Sequence, residues 1–174
     1  MKRILGYGLI AGLIAGIPLS GMTLLMKDHG SGSMVLGYLT MLIAMSTVFI
    51  AIKRRRDIDQ GGVIRFWPAF GMGLGISLVA AVFYVAAWEI TQAMTHMDFA
   101  ADYGRAMLQQ ARARGASAAE LGALSAEMEG WARIYANPLL RWGITATEIL
   151  PVGLVVSLIS AALLRNSRFM PARA

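Results

Sequence analysis

The chain contains no cysteine. That excludes a disulfide framework and a thiolate metal site, and it leaves redox chemistry silent about the compartment. Charge is scarce as well. Only 15% of the residues are Asp, Glu, Lys or Arg, where a soluble domain carries about 25%. Catalytic spacing is missing too. No Ser, His and Asp stand at intervals that suggest a triad. Gly71-Met72-Gly73-Leu74-Gly75 lies inside an apolar run, so a phosphate-binding loop has no context there. His29 and His96 stand near Asp28 and Asp98, but the spacing matches no compact zinc motif. The sequence is therefore read as a non-enzyme, with no cofactor and no metal.

What the chain has instead is apolar length. Four runs, near 4–26, 34–52, 66–88 and 139–164, each hold about 19 to 26 residues. Roughly 20 residues suffice to cross a ~30 Å hydrocarbon core. The expected fold is all-α: an integral membrane four-helix bundle in one domain, 1–174. Its permanent partner is the lipid bilayer. Met1-Lys2-Arg3 and the run behind it have the look of a signal peptide. The run exceeds a signal core of roughly 7–15 residues and no Ala-x-Ala site follows, so it is read as a retained first span.

The charges sort by side. With the N-terminus in the cytoplasm, the inner segments carry ten basic residues against Asp57 and Asp59, a balance of +8. The remaining segments carry six basic residues against eight acids, a balance of −2. The excess of Lys and Arg predicts both termini inside, in a bacterial inner membrane. Lys53-Arg54-Arg55-Arg56 ends the second run, so it reads as an interfacial clamp with anionic-lipid contact rather than a nucleic-acid site.

Small residues mark the packing faces expected of apolar helices in lipid. Gly8, Gly12 and Gly16 recur in span one, Gly71 and Gly75 in span three, and Gly153, Ser157 and Ala161 in span four. These faces suit packing within one chain or between chains. Pro18 and Pro151 each lie inside a span and free one backbone carbonyl, on Ile14 and Thr147. A kink is the plain reading, and a polar pocket or hinge is the functional one. A Gly/Ser-rich turn is expected over 27–33, and Trp67, Trp88, Trp131 and Trp142 are expected in the interfacial aromatic belts.

The segment 98–137 is predicted to be an extracytoplasmic amphipathic helical hairpin between spans three and four. Phe99, Tyr103, Met107 and Ala111 recur every four residues. Gly115 breaks the pattern, and Ser117-Ala118-Ala119-Glu120 has the spacing of a capping box. Leu121, Leu124, Met128, Trp131 and Tyr135 then give a second helical face. Asn137-Pro138 reads as the cap and first turn of span four.

One side chain resists a purely apolar account. Glu148 lies near the middle of the last span, where a carboxylate costs roughly 2.5–3.5 kcal/mol on insertion scales. It is expected to face the bundle interior, paired or protonated. Ser20, Tyr38, Thr40, Ser77 and Tyr84 stand at matching depths and are its candidate neighbours, with the carbonyls freed by Pro18 and Pro151. Arg141 is expected to form an interfacial ion pair with Glu89.

Met34-Val35-Leu36-Gly37-Tyr38-Leu39-Thr40-Met41-Leu42-Ile43, Gly61-Gly62, Gly115-Ala116-Ser117, Asn137-Pro138-Leu139 and Glu148-Ile149-Leu150-Pro151-Val152-Gly153-Leu154 together resemble a bacterial membrane family catalogued as domain of unknown function 4199. The resemblance spans nearly the whole chain. It implies a four-span bacterial inner-membrane protein and brings no activity with it.

The reading is a non-enzymatic inner-membrane protein acting through protein–protein contact, as an accessory subunit, assembly factor or small homo-oligomer. The alternatives are a proton-linked transporter or channel component that uses Glu148, and a membrane enzyme with outer-face acids.

Overall fold

The computed structural model describes residues 1–25, 31–96 and 98–172. Among them the chain is all-helical: α1 (Lys2–Leu25), α2 (Ser31–Arg54), α3 (Phe66–Thr95), α4 (Phe99–Ala113), α5 (Ala118–Ala136) and α6 (Pro138–Leu164). Four of them, α1, α2, α3 and α6, are long and apolar enough to cross a membrane. The chain is thus a helical bundle with four candidate membrane spans. Part of the turn expected over 27–33 lies outside the described residues, and Ser31 to Ser33 are already helical in α2. Contacts divide the chain into two compact units, Met1–Trp88 with Thr145–Ala174, and Glu89–Ile144.

The core of the first unit mixes small and flexible residues, among them Ala11, Ala15, Ala44, Met45, Ala51, Met72, Ala80 and Ala161, with the buried aliphatics Val48, Ile52, Ile76, Ile149 and Leu164. Hydroxyls join them: Thr47, Ser77, Ser157 and Ser160 are all buried. Other large aliphatics face outward, with Leu5, Leu9, Leu13 and Ile17 lining the outer side of α1. Lipid offers no hydrophobic reward for burying Leu against Leu, so close backbone approach and van der Waals contact hold such helices together.

Glycine makes that approach. A Cβ added at Gly8 would lie 2.5 Å from Cβ of Val79, and one at Gly12 would lie 2.5 Å from Cβ of Phe83. At Gly16 the clash is with Ala87, at 2.7 Å. The glycine stripe of α1 therefore packs on α3 of the same chain. The matching stripe expected on α3 is displaced. Gly71 meets nothing within 4 Å, and Gly75 meets only the side chain of Ile4. Gly73 makes the tight approach: a Cβ added there would lie 2.6 Å from Ser157 Oγ on α6, and one added at Gly153 of α6 would lie 2.6 Å from Ser77. The reason is angular. The α1 stripe occupies the Val79–Phe83–Ala87 side of α3, so α6 must seat on another side, that of Gly73 and Ser77.

The basic cluster after α2 also departs from expectation. The helix does not stop at Lys53 but continues as a wider π-helical turn over Arg55–Asp59. That extra residue per turn rolls Arg56 inward, and its side chain is fully buried. It donates to Asp57 Oδ1 at 2.6 Å and to the carbonyls of Phe169, at 2.9 Å, and Met170. Phe169 packs edge-on against Phe49. Arg56 thus tethers the segment after α6, while Arg3 pairs with Asp59 and Lys53 with Asp57.

The second unit holds the hairpin. Asp98 caps α4 by accepting from the Ala101 N–H at 3.1 Å. Ser117 and Glu120 form the reciprocal box at the start of α5. Asn137 caps α6 by accepting from the Leu139 N–H at 3.0 Å. Gly104 lets α4 approach Met128 of α5. Phe99, Tyr103, Trp131 and Tyr135 pack ring on ring, with centroids 4.9–6.1 Å apart. Trp131 therefore belongs to this aromatic core. Trp88 is buried in the first unit, while Trp67 and Trp142 are exposed.

Candidate functional site

The polar centre within the spans joins α3 and α6. Tyr84 is almost completely buried, and its hydroxyl donates to Oε2 of Glu148 at 2.9 Å. Glu148 stands ten residues past Pro138, about 15 Å along the helix at 1.5 Å per residue. The carboxyl stands at the edge of the bundle, bonded to a buried phenol. Tyr84 partly shields one oxygen, and the residue as a whole is exposed on the flank of α6, beside exposed Thr147 and Pro151. Gly153, Ser157 and Ala161 turn inward and are buried. The carboxyl of Glu148 reaches the same face of α3 through Tyr84, while the rest of the residue lies on the flank of α6.

The other polar residues at this depth do not converge on Glu148. Ser20 donates to the Gly16 carbonyl at 3.1 Å and Thr40 to the Leu36 carbonyl at 2.8 Å, each one turn back on its own helix. Tyr38 is about half exposed on α2. Ser77 donates to the Gly73 carbonyl at 3.0 Å and faces Ser157 Oγ at 3.5 Å. Pro18 lies within α1 and Pro151 within α6, and both helices run on past them. Hydroxyls that return to their own backbone leave no polar demand on a neighbour, which suits hydroxyls held in an apolar bundle. Tyr84 is the exception, because a phenol cannot reach its own backbone.

The chain matches the family described as "Protein of unknown function (DUF4199)" over residues 6–166. It belongs to that family. No curated protein and no solved structure matches it.

In this DUF4199 chain a second polar site lies wholly within Glu89–Ile144. Arg141 forms a bidentate pair with Glu89, Nε to Oε1 at 2.7 Å and Nη2 to Oε2 at 2.6 Å. Its guanidinium also sits 5.7 Å from the centroid of the Tyr135 ring. Both partners are mostly shielded, at 19% and 28% exposure. Two parallel N–H···O bonds fix the planar groups in register, which a lysine could not do. Beside this pair a cavity of about 290 Å³ is lined by Gln92, His96, Asp98, Phe99, Tyr135 and Arg141, with three alanines. Gln92 carries no signal in the sequence, since a lone glutamine near a span end has no motif.

In the hairpin the carboxylate of Glu120 is electrostatically tuned. The Ser117 backbone N–H and then its hydroxyl hold Glu120 below its ordinary range. That is a helix-cap effect, since Glu120 sits at the N-terminus of α5. Among the described residues no group of three or more His, Asp and Glu is placed to hold a metal ion.

Proposed function

We propose that this is a non-enzymatic membrane protein that acts by contact with another chain in the bilayer, through the flank of α6 that carries Glu148. The observation that carries this reading is a mid-span acid whose residue is exposed on the flank of its own bundle while one carboxyl oxygen is bonded to buried Tyr84. Facing hydrocarbon, a charged group there costs roughly 2.5–3.5 kcal/mol or more. A second chain that supplies a donor or acceptor removes that cost. The partner is a further membrane protein or another copy of this chain. Val155, two turns on from Glu148, is exposed on the same flank and extends it with apolar surface. The preformed hairpin, capped at each helix start, supplies a second rigid surface beyond the spans.

The setting is a bacterial inner membrane with both termini cytoplasmic. The excess of Lys and Arg in the short segments around spans one to three and after span four supports it. Reporter fusions at Gly62 and Gly115 would then read opposite compartments, and the same compartment for both would end the four-span topology.

The contact itself is tested with a photo-crosslinking residue at Val155, and another at Leu13 on α1, in native membranes. A discrete adduct from Val155 that disappears in Glu148→Leu supports the reading. Only diffuse lipid adducts from both positions would overturn it. A second reading, proton-linked transport, draws on the Tyr84–Glu148 hydrogen bond, which sets a hydroxyl beside a mid-span acid. Glu148→Gln separates the two. It retains a hydrogen-bonding amide for a partner but cannot release a proton.

A further inference from the structure

Two guanidinium groups at one end of the first unit have no carboxylate to meet. α1 begins at this end and α2 finishes there, joined by the Arg3–Asp59 pair. Arg3 takes Asp59, while Lys53 and Arg56 share Asp57. Arg54 and Arg55 are left with neutral partners. Arg54 Nη1 donates to the Tyr7 hydroxyl of α1 at 3.3 Å, and Arg55 Nη1 to the Met72 thioether of α3 at 3.8 Å. A guanidinium carries five N–H donors, and a thioether is a weak acceptor. Most of these donors are therefore open to a further acceptor. Arg54 is exposed and Arg55 partly so.

The surroundings decide the kind of acceptor. Lys2, Arg65, Arg165 and Arg168 are exposed at the same end and, among the described residues, form no ion pair. This surplus of positive charge favours an anion. Apolar side chains stand among the cations. Ile58 in the π-turn, Val63 before α3 and Trp67 in the first turn of α3 are all exposed, Trp67 at 74%. A nucleic acid or a free phosphate leaves such aliphatic surface in water, whereas a bilayer interface covers it and takes the indole at headgroup level. The level agrees. Arg54 and Arg55 lie in the last turns of the candidate span Val35–Asp59, and Trp67 lies at the start of Phe66–Thr95.

We propose that this end of the bundle binds the headgroup of an anionic phospholipid, whose phosphate accepts from Arg54, with Arg55 as a second guanidinium donor. A zwitterionic headgroup carries its own ammonium and gains less from the surplus of cations. Three of the five basic residues Arg3 and Lys53 to Arg56 are neutralised within the chain, so the selectivity rests on the other two. The site needs no protein partner at the Glu148 flank.

The test is native mass spectrometry of the full chain in detergent micelles with equimolar phosphatidylglycerol and phosphatidylethanolamine. Phosphatidylglycerol is retained preferentially. Arg54→Gln, at an exposed position, lowers that retention about 5-fold, the usual worth of one basic residue at a membrane surface. Arg55→Gln is the second arm, with a loss of similar size, and carries the test if Arg54→Gln fails to fold. Arg133→Gln, an equal change of charge at an exposed position of α5, leaves retention as it was. Glycerol phosphate or an RNA oligonucleotide, at the same concentration as the lipid, leaves phosphatidylglycerol bound. Equal retention of the two lipids, retention indifferent to both arginine variants, or a loss in Arg133→Gln as large as theirs would overturn the proposal. So would displacement by glycerol phosphate, which would assign the cations to a soluble anion, or by RNA, which would assign them to nucleic acid.

Discussion

Tyr84 on α3 and Glu148 on α6 share a hydrogen bond of 2.9 Å that runs from the core to the surface of the bundle. The phenol is buried and Glu148 as a residue is exposed, so the bond ties an acid on the flank of α6 to the core. In purified form Glu148→Leu then removes an acid from a lipid-facing flank, and the change in stability is small. The loss of desolvation cost offsets the unmet Tyr84 hydroxyl, a penalty of about 1–3 kcal/mol. In native membranes the same variant loses the partner. Glu148→Gln keeps both stability and partner. Thermal unfolding in detergent, set against co-purification from membranes, checks the split. A Gln variant that folds and retains its partner but loses the physiological phenotype favours proton transfer instead.

The glycine stripe of α1 makes a sharper stability prediction. Gly12→Ala puts a Cβ 2.5 Å from Cβ of Phe83 and 3.0 Å from the Ala80 carbonyl oxygen. Neither can yield without moving α1 from α3, and overpacking of this kind costs about 1–3 kcal/mol. Gly6 meets nothing within 4 Å. Gly6→Ala is therefore neutral or stabilising, by up to about 1 kcal/mol through helix propensity. Equal thermal unfolding of the two variants would show that α1 does not seat on α3 through this face.

How far the sequence carried the fold depends on how local each signal is. Ser117 with Glu120, and Asn137 with Pro138, were legible because a cap is settled within four residues. Span length is equally local, and so is the alternation that built the hairpin. Packing direction is not. Gly71, Gly73 and Gly75 are chemically alike, and only the competing claims of α1 and α6 on α3 select Gly73. Arg56 looked like its three basic neighbours, and a single π-turn buries it under Phe169 and Met170. For Glu148 depth alone named five candidate neighbours, and only the packing of α3 on α6 selects Tyr84 among them.

The Glu89–Arg141 pair is held by two bonds at 2.6 and 2.7 Å and is mostly shielded from solvent. Arg141→Lys keeps the charge but not the fork, and Glu89→Gln removes the charge while keeping shape. Each lowers stability by about 1.5–3 kcal/mol, the range for hydrogen bonds to charged groups. The double variant falls well short of the sum, since each single change already breaks the same pair. Additive losses in chemical unfolding would mean that the two residues are stabilised by separate partners.

The start of α5 carries a pH dependence whose sign follows from its cap. Glu120 accepts from the Ser117 N–H at 2.7 Å and from its hydroxyl at 2.8 Å, and both hold its folded-state pKa below the ordinary value. A depressed carboxylate stabilises the folded form above its unfolded pKa of about 4.3. That contribution fades as pH falls through the lower, folded value. Hydrogen exchange over 118–124, corrected for the intrinsic rate, should give protection that is level from neutral pH to about 4.5 and declines below it. The spans keep their protection over the same range. Ser117→Ala removes the hydroxyl from the box, lowers protection at neutral pH and weakens the acid-dependent step, because only the backbone N–H then holds the carboxylate. A decline that is identical in the Ser117→Ala chain would show that the acid step belongs to some other carboxylate of the hairpin, Asp98 or Asp102 among them.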